Sequence, residues 1–493
     1  MLNLFRFIVG LKKRRTFRNN KIVQMNFKEK LVKYPVFLLV YESAKICGAK
    51  AYVVGGFVRD LVLGIDNDDI DFLCVGNGIK VAEEFSRLVH GELTVYENFG
   101  TAMVKYGDQK IEFVGARKEA YERGSRKPFV FDGTLEDDLK RRDFTINAMC
   151  ISINDGDFGE LIDLFGGLYD LQDGIIRCVG EPEDRFTEDA LRMLRAIRFQ
   201  CKLSTGGRQF MIATKTIEGI KKCKDEVKTL SGERITEELN KILSYEHPEI
   251  GIRWLWATGL LKYILPEVDA LSMPEDKGHK DIFEHTMSVL ENVAGQSDDL
   301  YLRWAALLHD IGKVPTKKYD AKEGWTFYGH AAAGAKMVEK IFRRLHLPLD
   351  SRMEFVKKMV DMHMRPTTLA EEGVTDSAIR RLIFDAGDDL DSLLILAKCD
   401  VTTKYESKRN KIYENLLIIE KHIQEVEEKD ALRNWKNPIS GYYIMETFGL
   451  GPCKTVAILK DAVKEAILDG VIPNDFEAAK EFVKKKAKEI GLD

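Results

Sequence analysis

The segment Ala51–Leu73, AYVVGGFVRDLVLGIDNDDIDFL, constrains the fold more than any other part of this chain. A short apolar run, Ala51–Val54, meets Gly55-Gly56, where the backbone turns tightly with its N–H groups bare. Val58–Leu63 then starts a helix, and a helix N-terminus is a natural anion site. Asp69–Leu73 alternates polar and apolar as a half-buried strand does, so Asp69 and Asp71 project to one face, roughly 7 Å apart. Two carboxylates on one face, beside a glycine turn and Arg59, are a set able to hold a divalent cation against a polyphosphate.

Length and charge bound what can surround this segment. With 493 residues, 45% of them hydrophobic, the chain is long enough for about three or four domains with buried cores. Its 75 basic and 79 acidic side chains leave a net charge of −4, so any RNA-binding surface must be a local basic patch. The eight cysteines are scattered with no CxxC pair, which argues against a zinc knuckle or a disulfide framework and for a reduced, cytoplasmic protein. No apolar run has the length to span a bilayer. Met1–Phe27 contains no acid and carries Arg6, Lys12, Lys13, Arg14, Arg15, Arg18 and Lys21. Its apolar part precedes most of the charge, the reverse of a secretory signal. This extension fits an organellar presequence, a disordered RNA-touching arm, or a stretch upstream of a start at Met25. We expect the last, because periodic sequence begins only at about Phe27.

Along the chain, Lys28–Gly48 and Gly78–Leu88 read as helices, and Val95–Tyr106 and Gln109–Val114 as two strands joined by Gly107-Asp108. Glu112 alternates with Ile111 and Phe113, and a third carboxylate on a neighbouring strand would serve as base or as a second metal ligand. Glu122–Asp132 is polar and basic without periodicity and reads as a loop. In KRRDFTINAM, Arg141, Arg142 and Asp143 suit phosphate and ribose, since Arg offers a planar fork to oxyanions and Asp accepts from hydroxyls. Asp163–Arg177 is glycine-punctuated, and Gly166 and Gly167 offer backbone freedom or a simple turn. Phe186–Phe199, FTEDALRMLRAIRF, reads as one helix with Asp189 and Arg192 as surface neighbours. Arg195 lies a turn further on, and Arg198 drifts to nearly the opposite side.

The ordered set GGFVRDLVLG and DIDF resembles the DNA polymerase β-like nucleotidyltransferases, in particular the bacterial class II tRNA nucleotidyltransferases and poly(A) polymerases. EFVGARKEAY, RRDFTINAM and EDALRMLRAIRF follow in that family's order. The resemblance implies an α+β fold: a small mixed-sheet head with helices, then an all-α neck, body and tail. It implies Mg²⁺ on Asp69 and Asp71, with Glu112 as the third carboxylate. Gly56, Arg59, Arg117 and Arg195 would contact the triphosphate, Arg142 and Asp143 phosphate and ribose, and Asp189 with Arg192 the incoming base. Arg198 would belong to the same nucleotide site or be structural. The activity implied is template-independent addition of CCA to tRNA 3′ ends from CTP and ATP. Two other readings stay open: a poly(A) polymerase or a CC-only or A-only enzyme, and a metal phosphohydrolase with an RNA-binding head.

The phosphohydrolase reading comes from the histidines, of which six of nine fall between His279 and His363. FEHTMSVL places His285 on a helix, and WAALLHDIGK places His309 and Asp310 together on another. His330, His363 and Asp400 follow. This set resembles the HD superfamily of metal-dependent phosphohydrolases. His285, His309, Asp310 and Asp400 fall at its ligand positions, and His330 and His363 at those of its binuclear members. Such a set implies Mn, Ni or Co, with activity and a scaffold role both open. Tyr405–Asp493 is helical and lysine-rich. Its GLGPCKTVA resembles a tRNA-contacting turn, with Cys453 and Ala457 where glycine is expected. The expected divisions are an extension at 1–27, a head at 28–175, a neck at 176–275, an HD body at 276–404 and a tail at 405–493.

Overall fold

The computed structural model describes residues 25–97, 100–120, 129–272, 281–372, 375–403, 405–430 and 437–492. Most of the basic extension, most of the expected Glu122–Asp132 loop and His279 lie outside these residues. The chain forms two compact units. One holds the residues up to Asp173 with Arg177–Gly180, the other Gly174–Ile176 with Glu181–Asp493.

In the first unit, Pro35 splits the expected Lys28–Gly48 helix into Lys28–Leu31 and Pro35–Ile46. Proline lacks an N–H and disfavours helix in the residue before it, so it sits at a helix start. Phe27 is buried and its N–H donates to the Gly159 carbonyl (2.7 Å), so the end of the extension is anchored. The strands are β1 (Lys50–Val54), β2 (Ile70–Val75), β3 (Glu92–Tyr96), β4 (Thr101–Tyr106), β5 (Gln109–Gly115), β6 (Arg117–Ala120), β7 (Phe129–Asp132), β8 (Met149–Ser152) and β9 (Leu161–Asp163). The expected strand Val95–Tyr106 is thus the end of β3, a break, and β4. Phe129–Asp132, expected as loop, is a strand paired with β6.

Seven strands make one mixed sheet in the order β3-β4-β5-β2-β1-β8-β9, where β2 and β5 run parallel and the other pairs antiparallel. Alternation sorts the two faces. Phe72 and Phe113 stack at 5.6 Å, and Phe37 and Phe85 from the helices Pro35–Ile46 and Gly78–Val89 close on them. The opposite face carries Tyr52, Val54, Leu73 and Cys150 in a smaller cluster with Leu139. Asp71 and Glu112 belong to this second face by strand parity.

The second unit is built mainly of helices. The expected helix Phe186–Phe199 is broken: one helix ends at Glu188, Asp189 is extended (φ −146°, ψ 104°), and the next runs Leu191–Leu203. Near the C-terminus Ile444, Leu459, Val463 and Val483 form a core of their own. No helix among the described residues is long and apolar enough to cross a membrane.

The phenyl layer gives a stability prediction. Phe72→Ala removes a fully buried ring between two others, and we expect a loss of about 3–5 kcal/mol for the first unit. Urea titration followed by near-ultraviolet circular dichroism measures it, and a loss under about 1 kcal/mol contradicts this packing.

Candidate active site and candidate metal centre

Parallel pairing of β2 with β5 sets Asp71 directly beside Glu112, and antiparallel pairing of β1 with β2 sets Val54 beside Asp71. The turn after Val54 therefore faces Asp71. Gly55 has φ +73°, a conformation open to glycine, and a Cβ there would lie 3.2 Å from Arg142 Nη1 and 3.9 Å from Asp71 Oδ2. Glycine turn, carboxylate pair and Arg142 thus meet at one place. Burial first, then the charges of Asp69 and Glu112, push the Asp71 carboxyl up to about 7, against the pull of Arg142. Asp69, one residue before β2, and Glu112 are exposed. Carboxylates crowded until one holds its proton near neutrality fit a divalent cation, which replaces that proton.

Side chains that the sequence reading passed over support this arrangement. Asp138 is fully buried and accepts from Arg141 (2.8 and 2.5 Å) and from Arg142 (3.2 and 3.1 Å), which fixes both guanidinium groups. Asp143 accepts from its neighbour Phe144 N–H (2.8 Å) and from Asn147 Nδ2 (3.1 Å). Asn147 Oδ1 in turn accepts from Arg59 Nη1 (2.8 Å). Arg59, expected on the triphosphate, is only 2% exposed and lays its fork on Asp60 through two 2.7 Å bonds. Asn67 donates to Asp60 (2.8 Å) and accepts from the Asp69 N–H (2.9 Å). Arg59 therefore props the turn and the loop before β2 from inside. Gly56 opens the helix Gly56–Leu63, and Arg117 starts β6.

In the second unit the expected neighbours on one helix are differently placed. Because Asp189 is extended, it caps the following turn by accepting from Leu191 N–H (3.1 Å), and Arg234 reaches it at 3.0 Å. Arg192 reaches Glu188 at 3.2 Å. Arg195 lies over the Phe199 ring at 5.3 Å. Arg198, 8% exposed, pairs with Glu238 at 2.6 Å and is a core ion pair.

The histidine set of the second unit converges. His285 lies on the helix Ile282–Ala294, His309 follows Leu300–Leu308, His330 opens His330–Arg344, His363 follows Ser351–Met362 and Asp400 follows Leu390–Cys399. His309 and Asp310 are thus at a helix end rather than on the helix. Helix ends leave carbonyls without partners, and the rings use them or nearby ones. The Nδ1 atoms of His309, His330 and His363 donate to the carbonyls of Ala306 (2.8 Å), Phe327 (3.0 Å) and Val360 (2.7 Å). A carbonyl only accepts, so Nδ1 carries a proton in each ring and Nε2 is the nitrogen turned inward. His285 Nδ1 meets Thr402 Oγ1 at 2.6 Å.

Inward, two triads share Asp310: His285, His309 and Asp310, and Asp310, His330 and His363. Asp310 Oδ2 lies 3.4 Å from His285 Nε2 and 3.3 Å from His309 Nε2, and Oδ1 lies 3.5 Å from His330 Nε2 and 3.9 Å from His363 Nε2. Asp400 Oδ1 joins the first triad, 2.9 Å from His285 Nε2. Asp310 Oδ1 is buried without a hydrogen bond, and the Nε2 atoms of His330 and His363 face each other at 3.4 Å. Burial pushes His363 down to about 4 and lowers His330 as well. Neutral imidazoles with lone pairs turned on one another and on a bare carboxylate oxygen fit a transition-metal pair.

Three stretches match known families: residues 51–177 the "Poly A polymerase head domain", 209–271 the "Probable RNA and SrmB- binding site of polymerase A", and 282–402 the "HD domain". The multifunctional CCA protein of Vibrio parahaemolyticus is 36% identical over 310 residues, 61% of this chain and 71% of that one. The chain belongs to the CCA-adding family of tRNA nucleotidyltransferases. An A-adding tRNA nucleotidyltransferase of Aquifex aeolicus is 48% identical over 155 residues, 31% of this chain and 19% of that one. A CCA-adding enzyme solved in an apo form superposes with a TM-score of 0.62 at 26% identity, covering 94% of this chain and 100% of that one. The family works with divalent metal ions, and its HD domain binds metal.

Two predictions follow from the geometry. A carboxyl whose folded value is about 7 and unfolded value 3.8 binds its proton more tightly when folded. Asp71 therefore stabilises the metal-free fold at low pH and loses that contribution as pH rises from about 4 to 7. Denaturant melts across this range should show a falling stability that Asp71→Asn flattens; an unchanged slope counts against the shift. At the metal centre, a Cβ on Gly312 would stand 1.9 Å from the His330 carbonyl. Gly312→Ala should displace His330 and weaken metal binding at least tenfold, read by isothermal titration with Mn²⁺.

Proposed function

We propose that this protein adds CCA to the 3′ end of tRNA without a nucleic-acid template, using CTP and ATP. The observation that carries the reading is the meeting of Gly55, Asp71 and Arg142, with Glu112 beside Asp71, in a chain of this family. Asp69 and Asp71 would hold Mg²⁺, which when bound makes the attacking hydroxyl more acidic and neutralises phosphate charge. Arg142, the backbone at Gly56, and Arg117 bind and orient the triphosphate, with Arg195 in support. The tRNA 3′-oxygen bonds to the α-phosphorus, the bond to pyrophosphate breaks, and Glu112 accepts the hydroxyl proton. Asp143 and Asn147 steady the ribose side of the site. Arg59 and Asp138 act as positioning residues, because both are buried beneath the groups they hold.

Asp189 and Arg192 supply base selection in this reading. Asp accepts from an exocyclic amine and Arg donates to a ring acceptor, a pair of features that cytosine and adenine share. The extended backbone at Asp189 frees its carboxylate from a helix surface, and Arg234 and Glu188 hold the pair. The second unit is proposed to divide into neck (176–275), HD body (276–404) and tail (405–493). The matches to 209–271 and 282–402 and the separate C-terminal core support that division. We further propose that the HD centre takes Mn, Ni or Co and hydrolyses phosphoesters. Eight unpaired cysteines suit a cytoplasmic setting.

The 48% identity of one segment to an A-adding enzyme favours a second reading, addition of the terminal A alone. Purified protein with Mg²⁺ and tRNAs ending before CCA, after C and after CC separates the two. C, C, A addition that then stops supports the first reading, and extension of only the CC-ended tRNA supports the second. Asp71→Ala should reduce addition by at least 10³-fold; near-normal addition by that variant would sink the assignment of Asp71.

A further inference from the structure

A third group of potential ligands lies outside both sites described above. His247 immediately precedes the helix Pro248–Thr258, Glu249 is the second residue of that helix, and Glu291 lies on Ile282–Ala294. One ligand atom from each stands within 4.8 Å of the other two. Glu291 is exposed and His247 half-exposed, but Glu249 is only 5% exposed. Its Oε2 is buried and accepts no hydrogen bond. His247 Nδ1 lies 3.8 Å from its Oε1, too far for a hydrogen bond. On the other edge of the ring, Glu246 Oε1 lies 3.7 Å from His247 Nε2.

From this we infer that His247, Glu249 and Glu291 bind a divalent transition-metal ion of the zinc class, with solvent in the remaining position. A buried carboxylate oxygen left without a hydrogen bond is costly. An ion–imidazole–two-carboxylate set is electrically neutral and answers that cost. In a tetrahedral site with bonds of roughly 2.0–2.1 Å, neighbouring donors stand about 3.4 Å apart. Closure from 4.8 Å asks for a movement of about an ångström, which two side chains in contact with solvent supply. With Nδ1 on the ion, Nε2–H would face Glu246, which a small side-chain movement would bring into the carboxylate–imidazole–metal chain that orients histidine ligands elsewhere. The site ties the segment matching the polymerase RNA-binding region to the first helix of the HD segment. Its role is a cross-link, separate from the shared-carboxylate centre at Asp310.

Equilibrium dialysis of the full chain against Zn²⁺ or Co²⁺, followed by metal counting, tests this without disturbing the other centres. The expected result is one equivalent fewer per chain in Glu291→Gln than in the unsubstituted protein, and the same deficit in His247→Ala. Glu291 is exposed, so its substitution leaves folding undisturbed, and circular dichroism verifies that. Anomalous scattering from a zinc-soaked crystal should place a peak among the three side chains. Equal stoichiometry and affinity in all three proteins, or a crystal with no peak there, overturns the inference and leaves an ion-pair cluster.

Discussion

The parallel pairing of β2 with β5 is the constraint on which the first unit depends. Strands joined in this way cannot be linked by a tight hairpin, so the chain must leave β2, cross through a helix and a β-hairpin arm, and return. That detour supplies the helix Gly78–Val89, whose Phe85 seals the phenyl layer on one face. The same register then puts a carboxylate beside a carboxylate on the other face. Setting a half-buried carboxylate beside an exposed one is unfavourable on its own terms, and the neighbouring Arg142, locked by Asp138, moderates it. Fold and chemistry therefore share one cause: the sheet brings like charges together because its apolar face demands this register.

The histidine centre is organised by a different rule. Helix termini need partners for their last carbonyls, and an imidazole placed just beyond a terminus satisfies one with Nδ1. The bond fixes the tautomer as well as the ring, so capping and ligand preparation are a single event. His309 and His363 do this at the ends of two helices packed against each other, and His330 does it against a preceding turn. Lys313 meets the shared carboxylate from outside at 2.6 Å.

Much of this was legible in the sequence, for identifiable reasons. Asp71 and Glu112 each lie in a period-two alternation, and alternation assigns a face without further information. The HD set is readable because its members recur in order with an adjacent His-Asp pair. What escaped was the partner chemistry. Nothing local in the sequence tells that Arg198 will meet Glu238, forty positions away, or that Arg59 will turn inward to Asp60 and Asn147. The break at Asp189 carries neither proline nor glycine, so helical periodicity runs through it unmarked. Pro35, by contrast, announced a boundary that a longer apolar pattern obscured.

Asp310 belongs to both triads, and this makes metal loading a linked equilibrium. One oxygen faces each histidine pair, so the first ion to arrive neutralises a charge that the second also needs, and at the same time fixes the orientation of the oxygen left over. In the proposed two-ion centre, each ion would therefore alter the other's affinity by an equal factor, as linkage requires. Occupancy of such a centre would then depend on the combined availability of metals, and a single saturation curve for either ion alone would describe only half of it.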